Sequence, residues 1–424
     1  MTLHPPLQVN SQRLLGDIDS LGGIGVDENG ERTRPSFSPQ YQEAVEWLID
    51  RMRAAGLRTR IDAVGNVIGR MGPDNGPIVM TGSHIDTVRN GGPLDGSYGV
   101  LAGVEVAHIL SENKLELAAP LEVVAFADEE GAYLSLFGSR ALAGGLAAEE
   151  IETSRNWQGT SLFEAMDAYG FDPERYREAA YPAGAIQKFV ELHIEQGPVL
   201  DTQGQDIGIV NGIVGMRNLN FRFLGKSNHA GTTPMDMRQD ALRAAAEFIT
   251  RAYTRFEEEG EQTARLTFGA IHVKPNMGNV IAREAAVRLD CRDLDDDRTA
   301  KIVDQLESIA RQVALHYGID ADVEYLSHDR AAILAPDIME EIGRAAEGLG
   351  LTSMVMPSGA GHDTQVMARI CKAGMIFVPS SNGLSHHPDE WTDPQQLIKG
   401  ANVLLHTMAS FLMAKKMQPQ AATR

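Results

Sequence analysis

The sequence predicts an α/β domain with a mostly parallel, mixed sheet, interrupted by a smaller inserted α+β domain. Its 424 residues exceed the about 250–300 at which single hydrophobic cores stop growing, so two domains are expected. Helix and strand patterns alternate in the first half and again in the last quarter, as in parallel α/β sheets. Near residue 213 the pattern changes to amphipathic strands and helical runs. We therefore expect residues 1–212 and 329–424 to form one domain and residues 213–328 to form the inserted one.

The first half of the chain carries the alternation. Residues 40–56 have apolar positions at helical spacing and end at Gly56, a residue typical of helix C-termini. The next predicted elements are two strand-like runs over 57–72 and 77–86, with Gly-Asn and Pro-Asp-Asn-Gly turns. A helix over 99–113 and a buried strand over 121–131, which runs into acidic residues, follow them.

The inserted domain is predicted from amphipathic strands over 215–231 and 263–295, with helical runs at Asp240–Glu259 and Thr299–Tyr317. After it, helix and strand signals alternate again up to a last helix near Asp393–Met413. The C-terminal quarter is therefore expected to complete the first domain, with a frayed tail over 415–424.

Composition restricts the class of protein. A formal net charge of -20 argues against binding to nucleic acids or anionic membranes. Cys291 and Cys371 are too few for a disulfide framework or a cysteine-based zinc site. No stretch approaches about 20 consecutive apolar residues, and the first residues lack a basic segment followed by an apolar one. We expect a cytoplasmic enzyme.

Metal-type side chains follow several of the apolar runs. Oxygen and imidazole ligands without cysteine suit Zn²⁺, Mn²⁺, Co²⁺ or Ni²⁺, and ligands bind beyond the carboxyl ends of parallel strands. A lone histidine is more often structural, which is our interpretation of His108, His316 and His406. A cluster is harder to explain that way, because burying many ionisable groups is costly unless they are paired or bind metal. The cluster consists of His84 with Asp86, Asp95, Asp128-Glu129-Glu130, Glu191 with His193 and Glu195, and His386-His387.

The adjacent Glu129 and Glu130 suggest two different roles. If one binds metal, its neighbour can act as a general base; the alternative is a solvated acidic loop. Asp86 lies two residues beyond His84, so both side chains point to one side of an extended segment. Asp86 is therefore placed to hold the second nitrogen of that imidazole.

Nine motifs together resemble one family. They are GSHIDTVRNGGPLDG, ADEEG, GSRALAG, ELHIEQGPVL, GKSNHAGTTPM, PNMGNV, DCRD, SGAGHD and NGLSHHPDEW. The chain, from roughly residue 10 to 413, is similar to the hydantoinase/carbamoylase amidases of the metallopeptidase-like M20 superfamily. The resemblance implies a catalytic domain, and an inserted domain that serves as lid and dimerisation domain.

The resemblance implies two divalent metal ions per subunit, with Zn²⁺ expected and Mn²⁺, Co²⁺ or Ni²⁺ as alternatives. Asp95 would bridge the two ions, Glu129 would be the general base, and Asp86 would orient His84. The family's His-x-Pro-x-Glu spacing selects His386 and leaves His387 without a role. Relatives often have Asn or Cys where this chain has Asp128, and we expect no mechanistic change from it. The implied metal ligands are His84, Asp95, Glu130, His193 and His386.

The resemblance also implies substrate contacts. His229 in the inserted domain would point at the substrate carbonyl, commonly from the partner subunit, so a homodimer through that domain is expected. An arginine fork suits a carboxylate, and Arg292 is the strongest candidate; the alternative is an ion pair with Asp290 or Asp293. Roles are left open for His362 and Asp363. The implied substrate-binding residues are Gln196, Arg217, Asn276, Asn279, Arg292, Gly359 and Ala360.

Three functions remain at this point. The first is an amidohydrolase that cleaves the carbamoyl (ureido) group of N-carbamoyl-L-amino acids. The second is allantoate amidohydrolase, another hydrolase of a small ureido acid. The third, from a different class, is an inactive, metal-stabilised binding or assembly protein, against which the intact Glu129 and the five candidate ligands argue. An aminopeptidase or deacylase is also conceivable, but His193 favours the ureido branch.

Overall fold

The computed structural model describes residues 7–259 and 263–413; the tail predicted to fray lies outside this part. The chain divides into two compact units. One comprises Met1–Asn211 with Leu334–Arg424, and the other comprises Gly212–Ile333. In the described residues, no helix combines the length and apolarity needed to cross a bilayer.

The N-terminal segment of the larger unit alternates between helices and strands. The strands are β1 (Arg58–Ile61), β2 (Val67–Met71), β3 (Ile78–His84), β4 (Leu121–Phe126), β5 (Ile186–Ile194) and β6 (Ile207–Ile213). The helices are α1 (Ser11–Gly23), α2 (Pro39–Ala54), α3 (Ser97–Glu112), α4 (Phe137–Leu142), α5 (Ala148–Thr153), α6 (Leu162–Ala168) and α7 (Val199–Gln203), with a 3₁₀ helix at Pro173–Ala179.

The smaller unit is an antiparallel sheet with two long helices. Its elements are β7 (Gly215–Leu224), a 3₁₀ helix at Met235–Met237, α8 (Ala241–Glu259), β8 (Arg265–Lys274), β9 (Glu284–Asp293), α9 (Asp296–Tyr317), β10 (Asp320–Asp329) and the short β11 (Ala332–Ile333). The four long strands form a sheet of order β10-β7-β9-β8. On β7, the buried side chains Leu219, Phe221 and Phe223 pack with Phe248 of α8. The alternate residues of β7 stay partly exposed, as expected for a sheet covered on one face.

The C-terminal segment returns to the larger unit. Its elements are α10 (Pro336–Gly348), β12 (Ser353–Ser358), α11 (Asp363–Met367), β13 (Lys372–Val378), a 3₁₀ helix at Ser381–Gly383 and α12 (Pro394–Leu412). The large sheet has the order β1-β2-β4-β3-β5-β13-β6-β11, with β12 paired to β6. The neighbours β4, β3, β5 and β13 are parallel, and the flanking pairs are antiparallel. This confirms the predicted mixed α/β sheet with an inserted α+β domain, and it confines the parallel part to the centre.

The central strands separate a hydrophobic core from a polar layer. On β5, Val190, Leu192 and Ile194 belong to the core that includes residues of α3 and α12. The alternate residues Glu191 and His193 are buried as well, but they point to the other face because successive side chains of a strand alternate. Burying each large aliphatic side chain stabilises the fold by about 1.5–3 kcal/mol. Packing on one face therefore fixes the polar groups on the other.

Candidate active site

The candidate site lies at the carboxyl edge of the parallel strands. His84 is the last residue of β3, and Asp128-Glu129-Glu130 begin two residues after β4. His193 is the penultimate residue of β5, and His386 follows β13 in the loop before α12. Parallel strands bring their carboxyl ends to one edge, so segments distant in sequence meet here.

Asp95 is at the centre of the cluster. Its Oδ1 lies 3.1 Å from Nε2 of His193 and 3.5 Å from Nε2 of His84. Its Oδ2 lies 3.2 Å from Nε2 of His386. The two oxygens of one carboxylate therefore face different histidines.

Glu129 and Glu130 turn in different directions. Oε2 of Glu129 lies 3.5 Å from Nε2 of His84, and Oε2 of Glu130 lies 3.5 Å from Nε2 of His386. Two three-residue groups with ligand atoms within 4.8 Å of one another share Asp95: His84, Asp95, His193 and Asp95, Glu130, His386. A further pair of such groups involves Glu129 with His84 and Glu130, and Glu191 with His193 and His362.

The orientation of the histidines fits a cation. Nδ1 of His193 lies 2.8 Å from the Ile194 carbonyl oxygen, and Nδ1 of His84 lies 3.2 Å from the Asp86 carbonyl oxygen. A proton on each Nδ1 leaves a lone pair on each Nε2, and both Nε2 atoms lie near Asp95, although that of His193 also accepts the Gly96 N–H at 3.1 Å. Lone pairs and a carboxylate repel one another unless a proton or a cation lies between them. A metal-bound histidine usually donates its other ring N–H in this way.

The carboxylates fit a cation for the same reason. In the described part of the chain, Oε1 of Glu130 is buried without a hydrogen-bond partner. Burial and the neighbouring Asp95 raise the pKa of Glu130 to about 7, and burial also raises the pKa of Glu129. The hydrogen bond to Asp95 raises the pKa of His386 to about 9. A divalent cation would reverse the cost of burying these carboxylates, so the donor set suits divalent metal ions.

Asp86 touches two members of the cluster. Its Oδ1 lies 3.5 Å from Nδ1 of His84, and its Oδ2 accepts the backbone N–H of Glu130 at 3.2 Å. Its side chain is fully buried. The Asp86 carboxylate therefore lies beside the second nitrogen of His84, but the hydrogen bond to that nitrogen comes from the Asp86 carbonyl. The carboxylate also holds the loop that follows β4.

A glycine is required next to Asp95. Gly96 has a φ of +63°, and a Cβ at this position would overlap the imidazole of His84. Its backbone N–H donates to Nε2 of His193 at 3.1 Å. Only glycine combines this backbone conformation with so close an approach.

Sequence reasoning did not assign a role to Glu390, which holds the Asp95 loop. Its Oε1 accepts the backbone N–H groups of Leu94 at 2.9 Å and of Asp95 at 3.1 Å, and its Oε2 accepts the Ser385 hydroxyl at 2.8 Å. Gln196 donates from Nε2 to Oδ2 of Asp95 at 2.8 Å. The signal was present, because Glu390 ends the His-x-Pro-x-Glu spacing that selected His386.

A layer of polar side chains lies behind His193. Glu191 accepts the hydroxyls of Ser83 and Thr364, each at 2.6 Å. His362 has its ring centroid 4.7 Å from that of His193, and its Nε2 lies 3.0 Å from the Ser358 hydroxyl. Burial lowers the pKa of His362 and raises that of its neighbour Asp363. His387, by contrast, is more than half exposed beside Asp389.

The inserted unit brings three of the candidate substrate residues together. His229 forms a bridge with Val280, and the Ala230 N–H donates to the Asn279 carbonyl at 3.0 Å. Asn276 belongs to the same loop as Asn279, and both side chains are exposed, as is His229. Nδ1 of His229 accepts the N–H groups of Gly231 and Thr232 at 3.0 and 3.2 Å. Its ring proton therefore resides on Nε2, which can donate.

The two arginines of this unit that are candidate substrate residues, Arg217 and Arg292, already have hydrogen-bond partners. Arg292 makes two parallel hydrogen bonds to Asp290, at 2.8 and 2.9 Å, which is the ion pair considered as the alternative. Arg217 donates from Nε to the Thr299 hydroxyl at 3.0 Å. Their roles towards a substrate stay predictions.

Gly359 and Ala360 belong to the larger unit, in the loop between β12 and α11. The Ala360 N–H donates to the Ser358 hydroxyl oxygen at 3.2 Å, and that hydroxyl donates to the Ala360 carbonyl at 2.9 Å. The loop is tied through Ser358 to His362.

Comparison with known proteins identifies the family. Residues 80–410 match the model of peptidase family M20/M25/M40. The chain is 39% identical over 412 residues to N-carbamoyl-L-amino-acid amidohydrolase of Paenarthrobacter aurescens, covering 96% of this chain and 99% of the relative. It is 37% identical over 391 residues to allantoate amidohydrolase of Escherichia coli (strain K12), covering 91% and 94%. The crystal structure of an amidase of the hydantoinase/carbamoylase family from Burkholderia multivorans matches with a TM-score of 0.88 and 30% identity, covering 95% of this chain and 98% of that one.

The fold and the matched model place the chain in a class of hydrolases: it belongs to peptidase family M20/M25/M40. Within that family, it belongs to the hydantoinase/carbamoylase amidases. The resemblance deduced from the motifs is thereby confirmed.

Proposed function

We propose that the protein is a dinuclear metal-dependent amidohydrolase that removes the carbamoyl group from N-carbamoyl-L-amino acids, releasing the amino acid, ammonia and carbon dioxide. The observation that carries the proposal is the position of Asp95, whose two oxygens face separate histidines beside the buried Glu129 and the largely buried Glu130. The name of the Paenarthrobacter aurescens relative supports the substrate class.

Two divalent ions per chain would be held by residues that share Asp95. One set is His84, Asp95 and His193, and the other is Asp95, Glu130 and His386. Zn²⁺ is the expected ion, and Mn²⁺, Co²⁺ and Ni²⁺ suit the same donors. When bound, such ions lower the pKa of water and polarise the substrate carbonyl.

Glu129 would move the proton. Its carboxylate takes a proton from the water whose oxygen adds to the ureido carbonyl carbon, and gives that proton to the nitrogen that leaves. The bond between the carbonyl carbon and the amino-acid nitrogen breaks, and the carbamic acid decomposes to ammonia and carbon dioxide. The position of Glu129 favours this role, because its carboxylate is buried and its Oε2 lies 3.5 Å from Nε2 of the proposed ligand His84. Asp86 would keep the His84 ring in place throughout.

His229 would stabilise the oxyanion. Its Nε2–H is free to donate because Nδ1 already accepts two backbone N–H groups. Since the side chain is exposed on its own unit, it suits a site completed by a second subunit, and we propose a homodimer through the inserted domain. Oriented donors of this kind act most strongly where charge develops in the transition state.

The remaining substrate contacts are proposed on the family resemblance. A substrate carboxylate would bind Arg292 in competition with Asp290, because the guanidinium already makes two hydrogen bonds there. The other proposed contacts are Gln196, Arg217, Asn276, Asn279, Gly359 and Ala360.

Allantoate amidohydrolase is the second candidate. It is favoured by the similarity to the Escherichia coli enzyme, and allantoate presents the same carboxylate and ureido groups. The choice between the two depends on the pocket around the substrate side chain.

A substrate panel tests the proposed function. The protein, purified and reconstituted with Zn²⁺, Mn²⁺ or Co²⁺, is assayed for ammonia release from N-carbamoyl-L-amino acids, their D-enantiomers and allantoate. We expect kcat/KM to be highest for an N-carbamoyl-L-amino acid, with allantoate at least about tenfold lower, a difference of about 1.4 kcal/mol. The reverse order would establish the second candidate. Metal-loaded protein that hydrolyses none of these ureido acids would contradict both and favour an inactive binding protein.

A further inference from the structure

The segment Arg32–Phe37 lies against both loops that carry the candidate site. The Thr87 N–H donates to the Arg34 carbonyl, and the Gly91 N–H donates to the Arg32 carbonyl, each at 3.0 Å. On the other side, the Ser36 hydroxyl oxygen accepts the Asp128 N–H at 2.8 Å. Nothing in the sequence analysis assigned a role to this segment.

Arg34 is the anchor of the segment. Its side chain is fully buried, and its fork donates in several directions. Nε donates to the Ile85 carbonyl at 2.7 Å, and Nη2 to the Ser97 hydroxyl at 3.2 Å. Nη1 donates to the carbonyls of Leu21 and Ile24, each at 2.8 Å. The Arg34 N–H also donates to the Thr87 hydroxyl at 3.0 Å.

Two of these partners, Ile85 and Ser97, lie before and after the candidate site residues Asp86 and Asp95 in the sequence. Ile85 lies between His84 and Asp86, so holding its carbonyl fixes the peptide that connects them. Ser97 lies two residues after Asp95, at the start of α3. A single planar group therefore contacts both ends of the loop that begins at His84 and contains Asp95.

A buried cation with neutral partners is costly to maintain. Burial lowers the pKa of Arg34 to about 10, and the charge of Asp86 opposes that shift. The hydrogen-bond acceptors named above are carbonyls and a hydroxyl, none of which neutralises the charge. Such a group is retained where its geometry is needed, because arginine offers five donors in a rigid plane and lysine offers one point charge.

We infer that Arg34 is a positioning residue for the candidate metal centre: its fork holds Ile85 and Ser97, and through them sets the directions of His84, Asp86 and Asp95. The inference rests on the proposed function only in taking His84 and Asp95 as metal ligands. Residues that orient metal ligands typically affect metal affinity or activity by about 10–100-fold.

The test compares Arg34→Lys with Arg32→Lys. Arg32 is a matched control, because it belongs to the same segment and also donates to carbonyls, those of Gly22 in α1 and of Gly91 in the middle of the loop. Zn²⁺ affinity is measured by chelator competition, ligand geometry by the visible absorption of the Co²⁺-loaded protein, and folding by thermal unfolding. We expect Arg34→Lys to weaken Zn²⁺ binding about 10–100-fold, to alter the Co²⁺ spectrum, and to lower kcat with KM within about twofold of the original.

Arg32→Lys should leave the spectrum and the affinity unchanged even if it lowers the unfolding temperature. The inference is overturned if folded Arg34→Lys keeps the original spectrum and affinity, or if Arg32→Lys changes them equally. Should Arg34→Lys fail to fold, Ser97→Ala removes one partner of the fork and must show the same change in smaller measure; an unaltered spectrum there overturns the inference. Because Zn²⁺ affinity, the Co²⁺ spectrum and thermal unfolding need no substrate, failure of the proposed hydrolysis would be seen separately.

Discussion

The polar cluster of the larger unit and that of the inserted unit differ in how they are held. In the larger unit, His84 and His193 are 2% and 1% exposed and have both ring nitrogens engaged. In the inserted unit, His229, Asn276 and Asn279 are exposed on neighbouring loops. Buried polar groups without partners are costly, so the first cluster must be arranged by the chain itself. The second is free to meet a substrate.

This difference suggests a division of labour. In the proposed mechanism, the larger unit would supply a rigid set of ligands and a base, and the inserted unit would supply donors that act only once a substrate is present. His386 is intermediate, since its side chain is 51% exposed although its Nε2 lies 3.2 Å from Asp95. Changes in the rigid cluster should therefore affect metal content, and changes in the exposed cluster should affect turnover alone.

The largest effect is expected from Asp95→Ala. Because the two oxygens of Asp95 face separate histidines, removing the carboxylate should release both ions or leave one weakly bound, with activity below detection. Elemental analysis of the purified variant measures this directly, and His386→Ala, which should lose one ion, is the matched control. Two tightly bound ions in Asp95→Ala would show that the carboxylate does not bridge.

Glu129→Gln and Glu130→Gln separate the two adjacent roles. Loss of a general base typically costs about 10²–10⁴-fold in rate, so Glu129→Gln should lower kcat by that factor with metal content nearly intact. Glu130→Gln should instead lose metal, because its carboxylate belongs to the Asp95–His386 group. Steady-state kinetics and metal content are measured on both variants. The assignment of base and ligand is wrong if the two results are exchanged.

A smaller effect is expected from His229→Ala. Removing one oxyanion donor typically costs about 10²–10³-fold in kcat, and metal content should not change. His316→Ala, an exposed histidine on α9 of the same unit, is the control and should keep full activity.

Mixing subunits then tests where His229 acts. If it serves the partner's site, mixtures of His229→Ala and Glu129→Ala chains should recover part of the activity, since a mixed dimer contains one site with both groups intact. No recovery despite demonstrated subunit exchange would place His229 in its own subunit's chemistry or outside it.

Much of the fold could be predicted because its signals are local. The helix expected over 40–56 is α2, and the one expected near Asp393–Met413 is α12, since apolar periodicity and flanking glycine or proline act over a few residues. The sequence pattern did not specify which flanking strands are antiparallel, because a fully buried strand shows the same run of apolar residues whether it is parallel or antiparallel to its neighbours. The short helices between residues 137 and 168 were not predicted.

The sequence by itself determined which chemical groups stand at the ends of the central strands. His84 and Asp86 are two residues apart after one apolar run, so the strand period directs both to one side, and Glu129 and Glu130 follow the next apolar run. Motifs were enough to identify the family. These properties depend on neighbours within a few residues, which the sequence displays directly.

Only the tertiary structure decided how those groups face one another. Glu390 holds the Asp95 amide across 295 residues of chain, and Arg34 reaches Ile85 across 51. The neighbouring residues do not show which partner either side chain contacts, because a buried hydrogen bond between distant segments depends on packing that forms only when the whole sheet and its helices assemble. The opposed directions of the two Asp95 oxygens arise in the same way, from three strand ends and one long loop that meet at a single edge.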